Sequence, residues 1–188
     1  MRLLGFGLIV VRLGMSLALC LQGHVVGLVL GLSGLQVVGS TLLAWLSGKP
    51  DLTWRGLCVG LGYFSVLLIQ PPEHQKAWAG FILWQLFFVQ VWIRLLLGRC
   101  CTVSGPVFVR VVTRFPYSLV RHPLTVVELL IAAVCVGQAP TLRNLVVGVL
   151  LLVVKATLTI WEENFLLNEQ SYQAYARRVA WRWVPGIW

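Results

Sequence analysis

Thr113–Pro123, with the sequence TRFPYSLVRHP, is the polar segment around which the rest of the chain is arranged. Long apolar runs precede and follow it, and its final triplet Arg121-His122-Pro123 opens one of them. Proline is favoured at the first position of a helix, and the residue before a proline is held extended. The triplet therefore predicts a shaped turn that places an arginine and a histidine where the chain enters an apolar helix.

The composition predicts an integral membrane protein. Apolar residues make up 59% of the 188 residues and charged residues 11%, against about half and about a quarter in soluble domains. The net charge of +9 comes from arginines at the ends of apolar runs, as in topology signals, and not from a basic stripe interleaved with aromatic residues. Nucleic-acid binding is therefore not expected. The five cysteines show no metal-binding spacing, so no metal is expected.

Six apolar runs approach the length of about twenty residues that a helix needs to cross the hydrocarbon core. Four precede the polar segment and two follow it. Pro140-Thr141 separates the last two, which predicts a helical hairpin over residues 124–161. We expect one membrane domain over 1–188, with four spans in 1–97 and a C-terminal region in 98–188. The runs are Leu3–Gln22, Val25–Ser47, Leu52–Gln70, Ala77–Leu97, Leu124–Ala139 and Leu142–Trp161.

The distribution of lysine and arginine predicts the topology. If the N-terminus is cytoplasmic, most cations lie at cytoplasmic ends of the spans, and the outside turns hold only Lys76 and Arg143. Both termini and the polar segment are then cytoplasmic in a multi-pass protein. Tryptophan and tyrosine favour the headgroup region, so the aromatic tail is predicted to lie on the membrane. Its aromatic residues are Tyr172, Tyr175, Trp181, Trp183 and Trp188.

Charged residues of the hairpin are predicted to meet. At about 1.5 Å per residue, Glu128 and Lys155 lie at similar depths, so they can form an ion pair, either structural or catalytic. Glu162 and Glu163 close the last apolar run, where the hairpin returns to His122. Neighbouring helical residues point about 100° apart, so at most one of the two glutamates is expected to face the same pocket as His122. Spacing alone leaves a functional carboxylate and a solvated helix end equally open.

An ordered set of polar and aromatic residues runs through the C-terminal region. It consists of Arg121-His122-Pro123, Glu162-Glu163, Tyr172, Tyr175, Arg178 and Pro185. This set resembles the C-terminal region of the isoprenylcysteine carboxyl methyltransferases, and the related membrane phospholipid methyltransferases share its outline. The resemblance implies an all-α membrane methyltransferase that uses S-adenosylmethionine in a cytoplasmic pocket. It also implies a lipophilic or lipid-borne methyl acceptor.

The same resemblance implies the residues of the site. Arg121 and Glu163 would be catalytic, with Arg121 orienting the donor carboxylate or the acceptor. A carboxylate and aromatic faces suit a donor that carries a sulfonium and an ammonium group. The implied cofactor-binding residues are Val109, Arg110, Val111, Val112, Tyr117, His122, Pro123, Leu124, Thr125 and Glu162.

Several features depart from the family pattern, among them Val127, where glycine is frequent, and the short segment between Glu163 and Tyr172, which lacks the usual Phe-Gly. Thr125 stands where the family usually has tyrosine, and Leu158 where many carboxyl methyltransferases have arginine. The acceptor therefore stays open among a prenylcysteine carboxylate, a thiol, an amine, a phospholipid headgroup and a small hydrophobic molecule. The rival interpretations are an NADPH-dependent reductase of the sterol type, a haem protein with His122 as axial ligand, and a non-enzymatic membrane scaffold or transport subunit. The oligomeric state has no signature in the sequence.

Overall fold

The computed structural model describes residue 69 and the segments 76–97 and 111–187. Within them the chain forms four α-helices and no strand, which confirms the all-helical class for this part of the protein. The first two predicted spans, the third apart from Ile69, and the residues Val109 and Arg110 lie outside the described residues. The helices are α1 (Ala77–Leu97), α2 (Pro123–Gln138), α3 (Leu142–Leu166) and α4 (Gln170–Arg178).

Two of these helices have the length and composition of membrane spans. Helix α1 has 21 residues and α3 has 25, against about twenty needed to cross the hydrocarbon core. Large apolar side chains such as Phe81 and Val149 are exposed on their surfaces, as expected for helices that face lipid. Helix α2 has 16 residues, which at about 1.5 Å each is shorter than the hydrocarbon core of about 30 Å.

The predicted hairpin of α2 and α3 is confirmed, and α1 packs along α2. The turn is held by its own polar groups: Thr141 Oγ1 accepts a hydrogen bond from the Asn144 amide at 3.2 Å. The Asn144 side chain donates to the Ala139 carbonyl at 2.7 Å. Satisfying these backbone groups at the helix ends stabilises the reversal of the chain.

The predicted ion pair between Glu128 and Lys155 is confirmed, and it includes a third residue. Lys155 donates to Glu128 Oε2, and Arg94 of α1 donates to Glu128 Oε1 at 3.1 Å. All three side chains are largely buried. The cluster therefore ties α1 to the hairpin, and within it each largely buried charge has an oppositely charged partner.

Helix α3 is longer than predicted. It continues past Trp161 and the two glutamates to Leu166. The apolar run does end at Trp161, but a change in side-chain polarity does not end the backbone hydrogen bonds of a helix. Glu163 consequently lies within the helix, and its side chain is buried.

The aromatic tail folds back onto the ends of the hairpin. Tyr172, Tyr175 and Trp183 are buried within the protein, and the position of the tail on the membrane stays a prediction. After α4 the chain runs beside the start of α2. The backbone amides of Arg121 and His122 donate to the carbonyls of Trp181 at 2.9 Å and Arg182 at 3.0 Å. Pairing with backbone and with the core stabilises this position of the tail.

Candidate functional site

The candidate site lies where the start of α2, the end of α3 and the tail meet. His122 is the residue before the first turn of α2, and Pro123 is the first helical residue, as predicted. The imidazole makes no capping bond to the helix. It is therefore available to the end of α3.

Both glutamates contact the imidazole of His122. Nδ1 lies 3.6 Å from Glu162 Oε2, and Nε2 lies 3.3 Å from Glu163 Oε1. The predicted approach of His122 to the end of α3 is confirmed, but the expectation that only one glutamate shares its pocket is wrong. The two ring nitrogens lie on different edges of the imidazole, so carboxylates that point in different directions from one helix each meet one nitrogen.

Glu163 is surrounded by cationic groups. Besides His122, Arg121 Nη1 lies 2.8 Å from Oε1, and Arg182 Nε donates to Oε2 at 2.5 Å. The Glu163 side chain is only 2% exposed. A carboxylate at such a position is tolerated only when it is paired and hydrogen-bonded. Glu163 thus joins the end of α3 to the start of α2 and to the tail.

Glu162 has a different environment from its neighbour. Its side chain is 49% exposed, and within the described segments its ion pair is with His122 alone. The negative charge of Glu162 therefore stays accessible from solvent at the edge of the site.

The two carboxylates control the protonation of His122. Burial lowers the pKa of the imidazole, but the hydrogen bonds and charges of Glu162 and Glu163 outweigh burial and raise the pKa from 6.5 to about 9. The ring is therefore an imidazolium at neutral pH. In that form both ring nitrogens donate, and the imidazolium does not accept a proton from a substrate.

Stability should decrease as the pH rises above neutrality. The pKa of His122 is about 9 in the folded protein and about 6.5 when unfolded. The stabilisation from the imidazolium is hence complete below pH of about 6.5 and is lost as the pH rises through about 9. Thermal unfolding of the detergent-solubilised protein between these pH values measures the loss. His122→Gln should flatten the dependence, and an equally steep dependence in that variant would contradict the assignment.

Three further bonds hold the walls of the site. The Tyr175 hydroxyl donates to the Tyr117 carbonyl at 2.7 Å, and the Trp183 indole donates to Thr159 Oγ1 at 3.2 Å. Arg121 Nη2 donates to the Ala180 carbonyl at 3.0 Å. The tail is thus bonded to the polar segment and to α3, which makes it part of the site.

The structure brings four of the predicted site residues into one cluster: Arg121, His122, Glu162 and Glu163. The others that it describes lie along the chain on either side of Arg121-His122, and their ligand contacts stay predictions. Tyr117 and Pro123 are buried, and Val111, Val112, Leu124 and Thr125 are half-buried.

Arg182 is the member of the cluster that the sequence analysis missed. A buried carboxylate at the end of α3 requires cations, and the tail is a nearby source of them. Local spacing does not distinguish Arg182 from Arg177 and Arg178. The distinction comes from the backbone pairing of residues 181–182 with residues 121–122, which has no local signature.

A family model described as phospholipid methyltransferase matches residues 75–174. The match covers more than half of the chain and includes α1, α2, α3 and the first part of α4. His122, Glu162 and Glu163 lie inside it, whereas Arg182 lies beyond its end. No curated protein matches the chain.

Proposed function

The chain belongs to the phospholipid methyltransferase family, and we propose that it transfers a methyl group from S-adenosylmethionine to a lipophilic or lipid-borne acceptor. Membership of the family implies a methyltransferase, and the two apolar helices α1 and α3 indicate membrane association. The identity of the donor and the nature of the acceptor are the proposed parts.

The contrast between Glu162 and Glu163 carries the proposal. Glu163 is bonded to Arg121, His122 and Arg182, and little of its charge remains for a ligand. Glu162 is half-exposed beside this rigid cluster. S-adenosylmethionine carries two cationic groups, and hydrogen bonds between an ammonium and a carboxylate are among the stronger ones in proteins. An accessible carboxylate on a fixed support fits such a ligand.

The roles of the residues follow from their contacts. When bound, S-adenosylmethionine supplies a methyl group on a positively charged sulfur, and such a transfer depends on alignment and on exclusion of water. Glu163, Arg121 and Arg182 act as positioning residues that hold α3 against the start of α2. Glu162 binds the ligand. His122, as an imidazolium, orients the carboxylate of Glu162 and does not remove a proton from the acceptor.

The surroundings of the site support a lipid-borne acceptor. The polar segment exposes Phe115 and Leu119 shortly before Arg121. Phe115 lies against Trp92 of α1, with ring centroids 5.9 Å apart, and Trp92 is also exposed. An apolar surface therefore extends from helix α1 to the segment that carries His122. A lipophilic acceptor could reach the site along this surface while its apolar part stays in the bilayer.

Titration with S-adenosylhomocysteine, the demethylated product of the donor, tests the proposal. A ligand at about 100 times its dissociation constant stabilises a protein by roughly 2.7 kcal/mol, so thermal unfolding of the solubilised protein should shift upward. Glu162→Gln should remove most of the shift because it removes the accessible charge. Glu169→Gln is the matched control, since Glu169 is exposed and makes no side-chain capping bond at α4.

Two outcomes would contradict the proposal. One is the absence of any shift with S-adenosylhomocysteine in the wild-type protein. The other is a shift with NADPH alone, which would favour a reductase. In the described site, the guanidinium groups of Arg121 and Arg182 are bonded to Glu163, so they are poorly placed to bind the phosphates of a dinucleotide.

A further inference from the structure

The hydroxyl of Tyr172 is buried without a hydrogen-bond partner in the part of the chain that the structure describes. The side chain is 6% exposed. Buried hydroxyls in proteins almost always find a partner, because burying one without a bond costs free energy. The position of this hydroxyl therefore needs a reason.

Tyr172 belongs to the same site as Glu162 and Glu163. Its ring packs against Tyr175 with a centroid distance of 5.5 Å, and Tyr175 is bonded to the backbone of the polar segment. Burial, followed by the charges of Glu163 and Glu162, raises the pKa of the Tyr172 hydroxyl. The hydroxyl thus lies within electrostatic reach of both carboxylates, and it remains protonated and able to donate.

The two tyrosines of α4 differ in one respect. They lie three residues apart, on the same side of the helix, and both are buried. The Tyr175 hydroxyl donates to the Tyr117 carbonyl, whereas the Tyr172 hydroxyl donates to nothing in the described segments. The hydrogen bond to Tyr117 explains why the Tyr175 hydroxyl is buried, whereas no bond in the described segments explains the burial of the Tyr172 hydroxyl.

We propose that the Tyr172 hydroxyl and the Glu162 carboxylate together recognise the α-amino-acid group of the ligand, with Tyr172 donating a hydrogen bond to its carboxylate and Glu162 accepting from its ammonium. This inference rests on the proposed function. The two ligand groups share one carbon atom, so they require an acceptor and a donor close together on the protein. The half-exposed Glu162 supplies the acceptor, and the unbonded Tyr172 hydroxyl, which the charge of Glu162 reaches, supplies the donor.

The test uses two ligands that differ in this group. S-adenosylhomocysteine carries the α-amino-acid group, and 5′-methylthioadenosine lacks it. Tyr172→Phe should raise the dissociation constant of S-adenosylhomocysteine by about tenfold to a hundredfold, as expected for a lost hydrogen bond to a charged group. The dissociation constant of 5′-methylthioadenosine should not change. Without ligand, the melting temperature of the variant should equal or exceed that of the wild type, because the substitution removes only an unbonded oxygen.

Tyr175→Phe is the matched control. It should lower the melting temperature, since it breaks the bond to the Tyr117 carbonyl, and any loss of affinity should be the same for S-adenosylhomocysteine and 5′-methylthioadenosine, because no contact with the α-amino-acid group is removed. The inference is overturned if Tyr172→Phe lowers the melting temperature without ligand, which would reveal a partner in the protein or a bound water. It is also overturned if Tyr172→Phe leaves both affinities unchanged or weakens both ligands equally. Failure of the wild type to bind S-adenosylhomocysteine would instead refute the proposed function on which the inference rests.

Discussion

Glu163→Gln is expected to destabilise the folded protein by about 3–5 kcal/mol, because removing one partner from a buried ion pair leaves the other charges uncompensated. Three cationic groups surround this carboxylate, from Arg121, His122 and Arg182. Glutamine keeps the size of the side chain but not its charge. Arg182 is 33% exposed, so water can compensate part of its charge, which favours the lower end of the range.

Glu162→Gln is the comparison for this prediction. It makes the same chemical change one residue earlier, at a side chain that is half-exposed, so its effect on stability should be small. Thermal unfolding of both variants without ligand measures the difference. If the two variants unfold at the same temperature, Glu163 is not the support that the geometry describes.

Glu128→Gln is expected to produce a loss of similar size, about 3–5 kcal/mol, inside the membrane domain. Its carboxylate is shared by Lys155 of α3 and Arg94 of α1. Without it, two cations would face each other in a largely buried position. Lys155→Met should cost less, because Arg94 would still neutralise Glu128.

The order of these effects can be measured by thermal unfolding of the single and double variants. Glu128→Gln combined with Lys155→Met should be more stable than Glu128→Gln alone, because it also removes one of the two cations that lose the Glu128 carboxylate. Such non-additivity is expected for residues in direct contact. A double variant whose loss equals the sum of the single losses would contradict the shared ion pair.

Hydropathy predicted the apolar helices well and their polar ends poorly. Ala77–Leu97 has the predicted bounds, and the α2–α3 hairpin lies where Pro140-Thr141 indicates. The end of α3 was misplaced by five residues, from Trp161 to Leu166. Hydropathy indicates the residue at which side chains no longer favour lipid, which need not be the residue at which the helix ends. Glu163 is tolerated in the continuing helix because Arg121, His122 and Arg182 neutralise its charge.

The centre of the site was predictable, and its outer parts were not. The depths of residues along two antiparallel helices, together with the resemblance, placed His122 near Glu162. Arg182 and the Tyr172 hydroxyl depend on how the tail folds back over the helix ends. That fold is set by backbone bonds between residues 121–122 and 181–182, which join segments far apart in sequence and leave no periodic pattern. Interfacial preference alone therefore gave no sign that the rings of Tyr172, Tyr175 and Trp183 are buried within the protein.

Equilibrium binding of radiolabelled S-adenosylmethionine to the purified protein tests the central claim most directly. We expect saturable binding that unlabelled S-adenosylhomocysteine displaces and that Glu162→Gln weakens strongly, with Glu169→Gln binding as the wild type does. Absence of saturable binding, or undiminished binding by the Glu162→Gln variant, would contradict a methyl-donor site formed by the start of α2 and the end of α3.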